Sequence, residues 1–254
     1  MRVVVDLHFD GARPLKSFDR SATQKGLDNI QTSWYVAFMP RPTKLAPERG
    51  SARIRLLEAA RDVIRTKGFA ATTIDDLCAT AGVTKGAFFH HFAGKEALGV
   101  AAAEYWSETT GALFEGAPYH APADPLERVL AYIAFRRAII SDDIPAFTCL
   151  VGTLAQEVHV TAPEIRDAAA ASIFGHSETL EADIAAAIAD RGITPDGWDA
   201  ASLARHFQAA LQGGFILAKA GNDPGLARET VDHLDRYVRR LFGVPDPSRK
   251  EDQA

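Results

Sequence analysis

The sequence predicts an all-α chain, with a small three-helix unit ahead of a larger helical domain. Three observations carry this. Apolar residues recur at three- and four-residue steps, no stretch alternates with period two, and polar helix caps punctuate the chain. The 254 residues suffice for one large domain or a small one plus a medium one, and a hydrophobic content of 47% supplies a core.

Residues 1–46 read as a disordered or basic N-terminal arm. Pro40, Pro42 and Pro47 cluster there with Arg41, Lys44 and Arg49, and no helical period survives. Met39, one of only two methionines, opens a short basic segment, so residues 1–38 read as translated upstream sequence. A native N-terminal peptide beginning before residue 39 would refute that expectation.

Residues 47–95 hold the small unit. Ile54, Leu57, Ala60 and Ile64, with the later Phe69, make one apolar face from Ser51 onward, and Gly68 stops this helix near Lys67. Thr73 and Asp76 stand as a capping box, the Asp carboxylate taking the usual Glu role. Ile74, Leu77, Cys78 and Ala81 form the inner face of a second, short helix. Gly82 ends it, Val83 plugs inward and Thr84 caps a third. Two short helices joined by a tight Gly-containing turn have the layout of a helix-turn-helix, an outline shared by a helical hairpin inside an ordinary bundle.

The third helix lies within VTKGAFFHHF, residues 83–92, which carries more aromatic and imidazole groups than a soluble helix hides. Residues three and four apart share a face. Phe88 and Phe92 pack inward with Val83, whereas the pairs Lys85/Phe89, Gly86/His90 and Ala87/His91 cannot all be core. A cation, two imidazoles, an aromatic edge and two small residues suit a helix in the DNA major groove, which is about 12 Å wide. Gly86 and Ala87 let the backbone approach, Lys85 reaches guanine, Ala87 or Phe89 meets a thymine methyl, and His90 and His91 donate to base edges or phosphates. Lys95 holds a phosphate. Phe89 as simple packing and His91 as a hydrogen-bonded helix end are the competing readings. Charge agrees with the DNA reading: residues 1–95 hold 15 basic and 9 acidic side chains, against 13 and 24 in residues 96–254. A chance surface imbalance would look the same.

The run TTIDDLCATAGVTKGAFFHHFAGKEAL, residues 72–98, resembles the DNA-binding domain of the TetR family of bacterial transcriptional regulators. The matching positions are Thr73, Ala81-Gly82-Val83, Thr84-Lys85-Gly86, Phe88-Phe89-His90-His91-Phe92 and Lys95-Glu96-Ala97-Leu98, and RIRLLEAARDVIRTKGFAATT before them resembles the family's first helix. The resemblance implies a homodimer on a pseudo-palindromic double-stranded DNA operator, a small-molecule effector that releases it, and repression. It implies DNA contacts from Thr73, Thr84, Lys85, Gly86, Ala87, Phe89, His90, His91 and Lys95. Two departures stand out: Phe89 replaces a common Tyr, losing a hydroxyl donor, and Cys78 replaces a usual Ala.

Residues 96–245 read as the ligand-binding and dimerisation domain, and residues 246–254 as a disordered tail. A long helix runs from Lys95 to about Leu113. Asp124, Pro125 and Glu127 open the next with a cap, an N1 proline and a capping box, and it ends near Ser141. Others cover about 146–158, Pro163 to Asp190, 199–220 and 224–242. Phe207, Leu211 and Phe215 line one of the last two, and Leu234, Val238 and Leu241 the other. These stripes, with Gly213-Gly214 allowing close approach, read as a dimer interface or else as intramolecular core. Trp106, Tyr132, Arg136, Phe147, Cys149, Gln156, His159, Phe174 and His176 are the candidate pocket residues, being aromatic or polar groups on otherwise apolar helices. Cys149, near a helix start, is also a candidate oxidant or electrophile sensor, with inert packing the alternative.

No cofactor, metal site or catalytic residue is expected. Two cysteines are too few for a disulfide framework, no secretory signal or membrane-length apolar run appears, and a reducing cytoplasm follows. The competing classes are a helical enzyme using His159 and His176 as acid and base, and an interaction module using the basic arm on membranes. Neither has a nucleophile elbow, a phosphate loop or an amphipathic basic spacing to support it.

Overall fold

The computed structural model describes residues 51–246. The expectations for the N-terminal arm, for Met39 and for most of the C-terminal tail lie outside them. Every regular element among the described residues is helical, and no helix there is long and apolar enough to cross a membrane.

Three helices form first: α1 (Ala52–Lys67), α2 (Ile74–Ala81) and α3 (Lys85–His91). Their boundaries follow from local chemistry. Thr73 Oγ1 accepts from Asp76 N while the Asp76 carboxylate accepts from Thr73 N, so the box closes. Gly82 turns the chain with φ +62°, a left-handed conformation that a side chain would strain. The turn is held by Val83 N donating to Cys78 O at 3.0 Å. Thr84 Oγ1 then accepts from Ala87 N and starts α3.

The helix α4 (Lys95–Glu115) leads into a 3-10 turn at Pro118–His120, then α5 (Pro125–Ala138), α6 (Ile144–Phe147), α7 (Leu150–Val158), α8 (Pro163–Asp190), α9 (Ala200–Gly221) and α10 (Pro224–Leu241). The segment expected as one helix over about 146–158 is two. Thr148 is extended (φ −78°, ψ 155°), which breaks the run, and Cys149 caps α7 with its sulfur accepting from Gly152 N at 3.4 Å. Asp124 does cap α5, accepting from Leu126 N and Glu127 N. The expected reciprocal bond from Glu127 is absent from that cap, and the other Asp124 oxygen pairs with Arg191 at 2.6 Å.

Two apolar cores result. One gathers Leu56, Leu57, Ile64, Leu77, Phe88 and Phe92 from the first three helices with Leu98 of α4, Leu150 and Leu154 of α7 and Ile165 of α8. The other packs α5, α8, α9 and α10 around Tyr132, Ile133, Ile184, Phe207 and Val238. The stripes read as a dimer interface belong to this second core. Phe207, Leu211, Phe215, Leu234 and Val238 are all buried within the chain, and Leu241 packs against them half-buried. An apolar stripe requires a cover, and here α8 and α5 supply it. The adjacent glycines divide the work. A Cβ on Gly214 would sit 3.1 Å from Thr230, so Gly214 lets α9 and α10 approach, whereas Gly213 faces open space.

Candidate nucleic-acid interface

The helix α3 is pinned from behind. Phe88 is fully buried and meets Phe92 and Phe89 with ring centroids at 5.8 and 5.2 Å. Arg55 of α1 reaches across and donates from Nη1 to the Ala81 and Gly82 carbonyls, both at 3.3 Å, clamping the turn itself. Arg53 lies over the Phe92 ring at 5.5 Å. The sequence reading missed both arginines: Arg55 lies 26 and 27 residues before the carbonyls it holds and Arg53 lies still further from Phe92, and only their placement on α1 hinted at a role.

What remains outward is a compact set. Thr84, Lys85, Gly86, Phe89 and His90 are exposed, and Ala87 and His91 half-exposed. Phe89 shows 55% of its surface, so simple packing does not account for it. Its outward position is what a thymine-methyl contact needs. The His90 and His91 rings meet edge-on at 4.9 Å. Lys85 Nζ pairs with Asp75 Oδ1 at 2.8 Å, which raises the lysine pKa, yet both partners are largely exposed. Such a pair stabilises little and is readily exchanged for a phosphate or base.

Two residues expected at DNA are committed within the fold. Lys95 does not project as a free charge. Its Nζ donates to the carbonyls of Phe69 (3.1 Å), Ala70 (3.4 Å) and Thr72 (3.1 Å), and lies 4.6 Å from the Phe69 ring centroid. The loop between α1 and α2 turns three carbonyls toward this point, of which Phe69 O also accepts from Thr72 N, and the ammonium donates to all three. Thr73 likewise spends its hydroxyl proton on Asp76 Oδ2 at 2.6 Å. The Asp76 carboxylate also accepts from Lys67 at 2.6 Å, and these bonds hold it well below the usual carboxylate range.

The same loop is tied to the rest of the chain. Glu157 of α7 accepts from Ala70 N at 2.8 Å, and Arg65 of α1 donates to Ala146 O at 2.9 Å while lying over the Trp106 ring at 5.3 Å. These two bonds connect α6 and α7 to the base of the helix-turn-helix.

The candidate pocket residues do not converge on one cavity. Tyr132, Arg136 and His176 form a buried polar seam: the Tyr132 hydroxyl meets His176 Nε2 at 2.9 Å, and Arg136 Nη1 donates to that hydroxyl at 3.5 Å. Burial, aided by the Arg136 charge, pushes His176 down to about 3, so it is neutral near pH 7. Arg136 lies over the rings of Phe114, Tyr132 and Phe215, and forms no ion pair among the described residues. Phe147 meets Phe215 at 5.7 Å, bordering this region, and half-buried Cys149 touches both cores. Two expectations are corrected. Gln156 and His159 are exposed on the outer side of α7, because Leu150, Val151, Leu154 and Val158 turn inward. The Gln156 amide is spent on Gly152 O at 2.9 Å. Phe174 is 52% exposed and lines a surface cleft rather than the core. Among the described residues no group of three or more metal-ligating side chains gathers.

Comparison with known proteins agrees with this geometry. A family model described as bacterial regulatory proteins, tetR family, matches residues 56–102, and one described as tetracyclin repressor-like, C-terminal domain, matches residues 125–234. The chain is 28% identical over 211 residues to the HTH-type transcriptional regulator EthR of Mycolicibacterium smegmatis, covering 81% of this chain and 93% of that protein. It is 25% identical over 177 residues to the transcriptional regulator AcuR of Cereibacter sphaeroides, covering 68% and 79%. In fold it matches a TetR-family regulator from Agrobacterium tumefaciens with a TM-score of 0.64 at 22% identity, over 73% of this chain and 96% of the other. With the two family models falling on the helix-turn-helix and on the helical body, the chain belongs to the TetR family and is a DNA-binding transcriptional regulator.

Proposed function

We propose that this regulator works as a cytoplasmic homodimeric repressor that a small molecule releases from a pseudo-palindromic operator. The observation that carries the reading is the outward set on α3: Thr84, Lys85, Gly86, Ala87, Phe89, His90 and His91 around a helix whose back is fixed by Phe88. These residues read base edges and phosphates, while Thr73 and Lys95 shape the loop behind them. Dimerisation uses the outer faces of α9 and α10. Ile216, Leu217 and Tyr237 are 48%, 52% and 43% exposed there, and Gly213 leaves room for a second helix to approach.

Release follows from coupling. An effector that fits one arrangement of the body better than another shifts the population, and can do so only by that difference in affinity. Glu157 and Arg65 carry the shift to α1 and its loop. Two recognition helices must meet half-sites about 34–36 Å apart or a multiple, so a small rotation weakens both together. No enzymatic activity is assigned: His159 is exposed on α7, and the His176 ring is engaged with Tyr132.

Selection of purified protein on random duplex DNA at about 0.15 M salt, where non-specific phosphate binding is weak, tests this. Enrichment of a pseudo-palindrome is the expected result. Retention without enrichment, or no retention, would overturn the sequence-specific reading.

A further inference from the structure

The outward set on α3 has an acidic neighbour. Asp75, in the first turn of α2, meets Lys85, the first residue of α3, with Oδ1 2.8 Å from Nζ. The Asp75 and Lys85 side chains are 69% and 61% exposed, so the pair lies open beside the reading surface. Asp76, the next residue, already serves the start of α2: it closes the box with Thr73 and accepts from Lys67. Asp75 takes no part in that arrangement. Its partner among the described residues is Lys85, and an exposed pair of this kind contributes little stability. A carboxylate at the edge of a surface that must meet a polyanion weakens binding unless the complex gives it a donor.

Donor and acceptor chemistry says what such a pair can do. Phosphate oxygens only accept. Against bare backbone Lys85 therefore finds a partner, while the Asp75 carboxylate, which also only accepts, is left facing like charge. A base edge in the major groove differs. One G·C pair offers guanine O6 and N7 as acceptors and cytosine N4 as a donor, so it can take Lys85 and Asp75 together. The ion pair is thus exchanged without loss only where DNA presents both kinds of group.

We infer that Asp75 is a specificity-determining residue: with Lys85 it reads a G·C pair in each operator half-site, and elsewhere on DNA it holds the lysine off the phosphates. Discrimination of this kind comes from weakening wrong sites as well as strengthening the right one. The inference rests on the reading of α3 above and adds to it a reader on α2.

Asp75→Ala in the full-length protein is the test. Anisotropy on random duplex DNA from about 0.05 to 0.3 M salt should show the slope of log affinity against log salt steepen by about 0.9, because the freed lysine gains one phosphate. At about 0.15 M that contact raises non-specific affinity about fivefold. Affinity for the selected operator should not rise, so the preference for operator over random DNA falls by about fivefold or more. A repeated selection should show the G·C preference relaxed at one position in each half-site, the same position that Lys85→Ala relaxes. A lower melting temperature with slope and base preference unmoved would overturn the proposal and make Asp75 a support of α2 alone. So would an equal gain on operator and random DNA, which is uniform repulsion and not discrimination. A wild-type protein that enriches no sequence overturns the reading of α3 and this inference with it. An enriched pseudo-palindrome whose base preferences survive Asp75→Ala overturns the inference alone.

Discussion

Replacing Lys95 with methionine separates two roles that one ammonium could play. In the structure Nζ serves the carbonyls of Phe69, Ala70 and Thr72 and lies over the Phe69 ring. Hydrogen bonds to a charged group contribute about 1.5–3 kcal/mol when well buried. Lys95 is only half-buried and three bonds share one charge, so the set is worth about 1–2 kcal/mol after discounting for solvent. Methionine keeps an apolar stem against Phe69 and removes the donor to the Ala70 and Thr72 carbonyls, while Phe69 O keeps its bond from Thr72 N. In a chain of this size the melting temperature should therefore fall by about 2–8 °C, measured calorimetrically at one fixed protein concentration. A phosphate-binding lysine would behave differently: its loss flattens the slope of log affinity against log salt by about 0.9 per contact. The expected outcome is a lower melting temperature with an unchanged salt slope, read by fluorescence anisotropy on the selected operator. An unmoved melting temperature with a flattened slope would refute the structural assignment.

Lys85→Ala should leave the melting temperature unmoved, its partner among the described residues being the exposed Asp75, and should relax base preference at one operator position by about tenfold; unaltered preference in a repeated selection would count against α3 as the reading helix. His176 supplies a pH test. Its folded pKa of about 3 lies below the ordinary histidine value, so the unfolded chain binds the extra proton first. Its contribution to stability is complete above about pH 6.5 and is lost as pH falls from there toward 3, by up to about 1.4 kcal/mol per unit. His176→Gln should make melting less sensitive across that window, and an unchanged pH profile would remove the argument. Gly213→Leu should weaken the dimer with helicity retained, whereas Gly214→Leu should lower stability by about 1–3 kcal/mol through overpacking against Thr230. Sedimentation and thermal melting together distinguish them, and a Gly213→Leu dimer of undiminished affinity would exclude that face.

The helix-turn-helix was legible because its determinants are local. The Thr73–Asp76 box, Gly82 and the Thr84 cap all act within a few residues, and each leaves a composition signal. The body's helices were legible for the same reason, except where Thr148 breaks a continuous apolar run with no glycine to mark it. The failures concern partners distant in sequence. The stripe through Phe207, Leu211 and Phe215 announces a buried face and not its cover, which proved to be the chain's own α5 and α8. A lysine four residues beyond an aromatic helix looks the same whether its ammonium meets phosphate or the loop carbonyls. Glu157 and Arg65 carried no motif at all, since their partners lie 87 and 81 residues away.

The loop between α1 and α2 is held at both polarities, its Ala70 amide by Glu157 and its carbonyls by Lys95. One of these anchors belongs to α7 and the other to the first turn of α4. The reading head is thus not a cassette that lifts out at a sequence boundary. A chimera that gives this body another regulator's first three helices would have to bring a loop able to meet Glu157, or replace Glu157 with it. Exchanging operator preference by grafting only the exposed residues of α3 leaves both anchors in place, and is the transplant this architecture tolerates.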